Sequence, residues 1–458
     1  MSRYWKLLCL TVLLFGCGKE EEEVPNDVIA PEVVQCMPED GATAVSLETS
    51  LFITYSEEIK LGKAYNITLN NQHVEASVDG RVLTLSADME ENTDYIVNIT
   101  ATSILDLANN YAKAYTYSFS TKPEIIVEIN PTLAVTNPSV QAVNVYNFLM
   151  DNYGNKIISS TIANVSWNTN EAKWIHQHTG KYPAMHTFDY IHLRWSPANW
   201  IDYSDTKVVE DWWNNNGIIS ACWHWNVPSY NGSSEYTSTA SETTFNAGNA
   251  LREGTWENGI LKADLEKMVG YLKLLQIKNI PVVWRPLHEA AGNIYEYNGG
   301  SAWFWWGADG AESFKQLWIY MFDYFELQGL NNLIWVWTTQ TKDDDFYPGD
   351  EYVDIIGRDI YDVSDASTIS SQFISVQERY PTKMVTLSEF GSVAPISEQW
   401  SAGAKWSYFM PWYDYERTNN TSEPGFSSTN HEHANAAWWQ NAFDQNYVIT
   451  LDQMPSLK

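Results

Sequence analysis

Cysteine is scarce in this chain, with four in 458 residues. Cys9 and Cys17 fall at the extreme amino end, so only Cys36 and Cys222 remain in the body. Two such distant residues outline no disulfide framework, and each is expected to serve as a small buried hydrophobe. Positive charge is scarce as well. The 27 Lys+Arg face 57 Asp+Glu, a formal charge of −30, which works against binding nucleic-acid phosphates or anionic lipid through a basic surface. A neutral ligand is unaffected. The apolar run Leu7–Phe15 is too short for a resident membrane span. No phosphate loop, nucleotide fingerprint or His-Glu-x-x-His zinc motif occurs. Tryptophan is missing between Trp5 and Trp167, while 21 of the 22 lie from Trp167 onward. That gap divides the chain in two. What is present, 44% apolar residues, is ample for a packed core.

Arg3 and Lys6 precede the run Leu7–Phe15, the layout of a secretory signal over residues 1–17. Its end, Leu14-Phe15-Gly16-Cys17, resembles a bacterial lipobox, which implies acylation of Cys17. The acidic stretch that follows, within a linker over 18–30, resembles the export tag of some surface-displayed lipoproteins. The expected location is therefore the bacterial outer membrane or cell surface, with membrane contact only through the lipid anchor.

Residues 31–121 carry short alternating runs: Leu51–Tyr55, Val82–Leu85, Tyr95–Ile99 and Tyr115–Phe119. Asp40-Gly41, Asp79-Gly80 and Ala108-Asn109-Asn110 supply turns between them. This pattern predicts a β-sandwich and resembles a bacterial Ig-like domain. Lacking a Trp platform for sugars, it is expected to be a spacer. From residue 122 to 458, near-continuous apolar runs alternate with helical patterns. The strands are expected at Lys156–Ala163, Phe188–Leu193, Ile218–Trp223, Ile280–Trp284, Leu333–Trp337, Val353–Gly357, Lys383–Leu387 and Trp406–Met410. Helices are expected in the gaps; Leu261, Leu265, Met268, Val269, Leu272 and Leu275 form the clearest stripe. This is the pattern of an α/β (β/α)8 TIM barrel, with a long loop after its third strand from His224 to about Gly259.

In such a barrel the polar residues at the carboxyl ends of the strands line the site. Those ends offer His224, His288-Glu289, Asp359, Tyr361, Glu389 and Trp412. Glu289 follows the fourth strand and Glu389 the seventh, so the wall brings them face to face. Two opposed carboxyls suit glycoside hydrolysis, which needs a proton for the leaving oxygen and an anion for the oxocarbenium-like transition state. The alternative for either one is a structural ion pair with Arg285 or Arg358. Trp303 and Trp412, lying beyond strand ends, are expected to stack on sugar rings.

Arg285-Pro286-Leu287-His288-Glu289, the later Trp303-Phe304-Trp305-Trp306-Gly307, and Ser388-Glu389-Phe390-Gly391 together resemble glycoside hydrolase family 26. The likeness runs from about Asn144 to the carboxyl end. It implies a β-mannanase with Glu289 as acid/base and Glu389 as nucleophile, and Tyr361 positioning the nucleophile. It also implies that His288 contacts the substrate or the nucleophile, and that His224, Trp303 and Trp412 line the subsites beside the cleaved bond. Asn293–Gly300 intervenes between the acid/base and the tryptophan run, where many members pass almost directly. The expected reaction is retaining endo-hydrolysis of β-1,4-mannosidic bonds in neutral mannan, glucomannan or galactomannan. No metal or organic cofactor is called for, and a monomer is expected. Two other readings stand beside this one: action on β-1,3-xylan or mixed-linkage β-glucan, and a surface lipoprotein that captures glycan without cutting it. Asp343-Asp344-Asp345 is read as a solvated loop rather than a calcium site, and His431-Glu432-His433 as surface.

Overall fold

The computed structural model describes residues 27–122, 125–165 and 167–458. The stretch read as a secretory signal, Cys17 and the acidic run lie outside the described residues. The described residues form two compact units, divided between Ile125 and Ile126.

The first unit is all β. One sheet orders Val33–Met37, Leu51–Tyr55, Val82–Ser86 and Glu75–Asp79; a second orders Ala42–Val45, Tyr115–Thr121, Asp94–Ile99, Ile67–Leu69 and Gln72–His73, and Ile59–Leu61 pairs with Ile104–Asp106. Alternation explains the packing: Ile53, Leu83 and Val97 are fully buried while their neighbours along each strand face outward. Gly41 at φ 79°, Gly80 at φ 56° and Asn109 at φ 77° take the left-handed turn conformation. In the last of these turns, the buried carboxylate of Asp106 accepts from the Asn110 backbone at 2.8 Å and its side chain at 2.7 Å.

The second unit is a closed parallel barrel. Its strands are β1 (Ile157–Ile162), β2 (Met185–Asp189), β3 (Ile218–Trp223), β4 (Val282–Pro286), β5 (Leu333–Thr339), β6 (Ile355–Tyr361), β7 (Met384–Gly391) and β8 (Tyr408–Pro411). Each pairs in parallel with the next, and β8 returns to β1 through Ile158 and Tyr408. β1, β2, β3, β5 and β7 are buried along their whole lengths, as sheets covered on both faces require. Outside run α1 (Val140–Asn152), α2 (Asn170–Thr179), α3 (Lys207–Asn214), the short α4 (Ala247–Ala250), α5 (Trp256–Gln276), α6 (Ala311–Leu327), α7 (Ala366–Arg379), α8 (Ile396–Ser401) and α9 (Ala436–Phe443). α5 buries the whole stripe read from the sequence, and Thr255 caps it by accepting from Asn258 N–H. The long loop after β3 holds α4 and a small hairpin that pairs Val227–Pro228 with Tyr236–Thr237. No helix among the described residues is long and apolar enough to cross a membrane.

The structure corrects several expectations. β2 begins at Met185 and ends at Asp189, instead of spanning Phe188–Leu193. His186 hid its start, because a histidine reads as polar, yet this ring is fully buried between Phe188 and Trp212. Beyond Asp189 the chain turns into a 3-10 helix at Leu193–Trp195. Between β5 and β6 there is no α-helix, only 3-10 turns at Asp344–Phe346 and Asp350–Tyr352, where Pro348-Gly349 interrupts the chain. Asp343 is not solvated. It is buried and accepts from Thr339 Oγ1 and the Gln340 backbone, both at 2.7 Å, tying off the end of β5. His431 is not at the surface either; its ring is buried and bonds Glu171 at 3.1 Å.

Candidate active site

Glu389 sits inside the end of β7, and Asp359 and Tyr361 inside the end of β6, rather than beyond the strands. Asp359 and Glu389 are register partners across the β6–β7 pair, which sets these two carboxyls side by side. Glu289 reaches them from the turn after β4. There Leu287 at φ 47° and Glu289 at φ 52° both adopt left-handed backbone, a strained conformation that turns His288 and Glu289 away from the strand direction.

Carboxylate oxygens of Glu289, Asp359 and Glu389 lie within 4.8 Å of one another, and all three residues are buried. One cation holds two of them. Arg285 on β4 donates from Nη1 to Glu389 Oε2 at 2.8 Å and from Nη2 to Asp359, with Nε on Thr338 at 2.9 Å. The other Glu389 oxygen accepts from the Tyr361 hydroxyl at 2.7 Å. Arg285 is therefore the ion-pair partner of Glu389. Arg358 turns aside to Gln372 at 2.9 Å and the Thr339 carbonyl at 3.2 Å.

Glu289 has a different environment. Burial pushes its carboxyl well up from the ordinary range, and the negative charges of Asp359 and Glu389 push the same way. Asp359 itself is raised to about 6 by burial, even though Arg285 and the Ser388 hydroxyl at 2.6 Å pull it down. The arrangement keeps a proton on Glu289, hydrogen-bonded to Asp359, beside a carboxylate gripped by two donors. One site thus sets a carboxyl that holds its proton beside a carboxylate held by two donors.

The histidines form a second chain. His224 Nδ1 bonds the buried Asp189 carboxylate at 2.7 Å. Burial works against charge on this ring, but Asp189 outweighs it and His224 titrates above its ordinary value. His288 is driven well below its ordinary value by burial, by Arg285 and by His224. Their Nε2 atoms are 3.0 Å apart, so His224 donates and neutral His288 accepts. Trp412 packs on His224 at 5.5 Å between ring centroids and is nearly buried, its Nε1 on the Tyr415 hydroxyl at 2.8 Å.

Six of the seven candidates thus meet: Glu289, Glu389, His224, His288, Tyr361 and Trp412. Trp303 stands apart, 39% exposed, with no ring contact to the other candidates among the described residues. Phe304 takes the place beside the histidines, 5.6 Å from His224 and 5.5 Å from His288, and stacks on Trp306 at 4.4 Å. Asp189 escaped the sequence reading, since it lay inside a strand placed too late. Its position one strand before His224, at a carboxyl end, is the signal that would have found it. As to metals, Asp189, Cys222 and His224 also cluster within 4.8 Å, as do Asp27, Glu57 and Asp106 in the first unit. The first set is a poor cradle: Asp189 and His224 are already bonded, and burial pushes the Cys222 thiol well up, away from the thiolate a metal needs.

A parallel barrel whose strand ends present a protonated carboxyl beside a gripped carboxylate defines the class of two-carboxyl glycosidases. The profile of glycosyl hydrolase family 26 matches residues 134–448, and that of a bacterial Ig-like domain matches residues 27–121. The chain belongs to glycosyl hydrolase family 26. It is 40% identical to the family-26 domain of an endo-β-mannanase/endo-β-glucanase from Prevotella bryantii, over 71% of this chain and 99% of that one, with a TM-score of 0.65. A β-mannanase from a symbiotic protist of the termite Reticulitermes speratus, solved with gluco-manno-oligosaccharide, is 33% identical, with 72% and 99% covered and a TM-score of 0.60. Mannan endo-1,4-β-mannosidase B of Piromyces sp is 33% identical over 345 residues, which is 73% of this chain and 55% of that protein. The chain spans about half the length of the curated Piromyces relatives it matches.

Proposed function

We propose that this protein is a retaining endo-β-1,4-mannanase acting on mannan, glucomannan or galactomannan. One observation carries the mechanism: carboxylate oxygens of Glu289 and Glu389 lie within 4.8 Å. That proximity fits direct attack, where carboxyls stand about 5–5.5 Å apart, better than the inverting arrangement at about 6.5–9.5 Å, which needs room for a water. Glu389 attacks the anomeric carbon while Glu289 gives its proton to the leaving oxygen. Negative charge on Glu389 disappears in the glycosyl-enzyme, which makes Glu289 easier to ionise, and Glu289 then takes a proton from the incoming water. Tyr361 and Arg285 hold the nucleophile; His224, His288 and Trp412 serve the sugars on either side of the cleaved bond. The mannan assignment is supported by the relatives, several of which are named as mannanases. Acylation at Cys17 would tether the enzyme at the bacterial surface, with the Ig-like unit as spacer.

Product profiling on linear mannan, galactomannan, β-1,3-xylan and mixed-linkage β-glucan tests the substrate. Proton NMR of the first products tests the stereochemistry. Oligosaccharides of several lengths from mannan, first seen as the β-anomer, are expected. Release from xylan or glucan alone overturns the substrate, an α-anomer overturns the mechanism, and no release at all favours a glycan-capturing protein.

A further inference from the structure

Away from the catalytic mouth, a groove of about 1100 Å³ runs along the barrel flank between α2 and α3. Both Thr169 before α2 and Gly180 after it line this groove, so it follows the full helix, about 15 Å at 1.5 Å per residue. A smaller hollow of about 290 Å³ adjoins it and shares Asp205 and Val208 as walls. The hollow is lined by Trp167 and by Trp200, which is 51% exposed. Trp167 donates from Nε1 to the Asp189 carbonyl at 2.9 Å. Asp189 is the residue that holds His224. The hollow therefore lies beside the loop after β2 and adjoins the groove on the outside of the barrel.

The lining has a particular chemistry. Tyr182 and the exposed His176 stack face to face, 4.1 Å between centroids at 13°, and Trp212 meets Tyr182 edge-on at 6.2 Å. The two rings cover one face of each other, and the outer faces they leave suit the C–H faces of pyranose rings. Charges balance. Lys173, Lys181 and Lys207 are matched by Asp205, Asp211 and Asp452, and Lys207 is already bonded to Asp211 at 2.6 Å. In a chain of formal charge −30, this groove is neither an acidic surface nor a cationic trap. Asn215 and Asn216 add amides that pair with hydroxyls. Together these features match a long, neutral, hydroxyl-rich ligand and disfavour an anionic one.

We propose that the groove between α2 and α3 is a second carbohydrate site, which holds an outlying stretch of the same neutral β-glycan whose reacting bond lies in the cleft. The inference rests on the mannanase reading for the identity of that glycan. Two linked sites on one polymer raise the apparent affinity without any new contact in the cleft. Short oligosaccharides confined to the cleft gain nothing.

The test compares His176→Ala, Tyr182→Ala and Lys173→Glu with the unaltered chain. His176 and Lys173 are exposed, so those two variants report even where loss of Tyr182 disturbs packing. Binding is read as retardation in native gels that contain soluble galactomannan, in a Glu389→Ala background to stop turnover. Activity is read with Glu389 intact, on mannotetraose and on the polymer. The expected result is a roughly 3- to 10-fold loss of polymer affinity for the two ring variants, as one lost stacking contact predicts. KM for the polymer should rise by a similar factor, with mannotetraose kinetics unchanged. Unchanged retardation in both ring variants overturns the proposal. So does an equal loss on mannotetraose, which would place the effect in the cleft. Binding of polygalacturonate that Lys173→Glu abolishes overturns the neutral-ligand assignment. Should the unaltered chain cut and bind a different neutral glycan, the mannan reading falls, and the same comparison with that polymer decides the groove.

Discussion

The hydroxyl of Tyr361 donates a 2.7 Å hydrogen bond to one carboxylate oxygen of Glu389, while Arg285 holds the other at 2.8 Å. On the proposed mechanism, the phenol sets the angle at which the free lone pair of Glu389 faces the anomeric carbon. Tyr361→Phe keeps the ring and its edge-on contact with His433 at 5.7 Å, and removes only the hydrogen bond. A bond to a charged group contributes about 1.5–3 kcal/mol, so kcat/KM should fall roughly 10- to 150-fold. Tm should barely change. Steady-state kinetics and a thermal melt check both halves of this statement.

Asp359 stands against Glu289 as acceptor and as a neighbouring negative charge. Burial raises Glu289 first, and Asp359 is the next cause, so Asp359→Asn should let the carboxyl titrate lower. The alkaline limb of kcat/KM reports the essential acid of the free enzyme. That limb is expected to move to lower pH, with its acidic side less affected. A limb that stays in place or moves upward would separate the proton on Glu289 from Asp359.

The two glutamates were legible because each closes an apolar run that forms a barrel strand, and the α5 stripe was legible because six apolar residues repeat at helical spacing. Asp189 was not legible. A carboxylate that works by holding a histidine from the next strand has no local pattern, and its strand began with the buried, polar-looking His186. Trp303 shows the converse. A tryptophan after the acid/base is a conspicuous letter in the sequence, yet Phe304, one residue on, packs against His224 and His288. Which of two adjacent rings faces inward depends on the course of the loop from Asn293 to Gly300. His431 was misplaced for a similar reason. Its partner Glu171 is 260 residues away, and no spacing rule reaches so far.

Arg417 ties the loop after β8 to the rest of the barrel. Its guanidinium meets Glu171 at 3.2 Å and Asp414 at 3.3 Å and lies 4.0 Å over the Trp174 ring, almost wholly out of solvent. Trp412 and Tyr415, which bond each other, belong to the same loop. Arg417→Met preserves bulk but takes the shared cation from two carboxylates, leaving Glu171 with His431 and Asp414 with the Glu416 backbone, a change that costs up to about 3–5 kcal/mol. Tm is expected to fall by several degrees and KM for oligosaccharides to rise. Arg417→Lys should recover only part of both, because an ammonium cannot bridge the two acids as a planar fork does.

His186 supplies the last expectation, which concerns stability rather than rate. Its ring is fully buried, stacked on Phe188 at 4.8 Å and edge-on to Trp212 at 4.9 Å, with Nε2 unpartnered among the described residues. Burial holds it down at about 3, whereas in the unfolded chain it titrates near its ordinary 6.5. Between those values the unfolded state binds a proton that the folded state refuses. The contribution is therefore complete above pH 6.5 and shrinks as pH falls towards 3, by about 1.4 kcal/mol for each unit. Asp264, Asp343 and Asp354, each raised to about 6 by burial, slope the opposite way, so the wild-type curve alone is a sum of contrary effects. The comparison with His186→Phe isolates the ring, since Phe fits the same aromatic slot and cannot be protonated. The difference in Tm between the two proteins should be constant above pH 7 and should shift steadily in favour of the variant from pH 6 to pH 4. Parallel curves across that range would mean that the folded barrel accepts the proton on His186 as readily as water does.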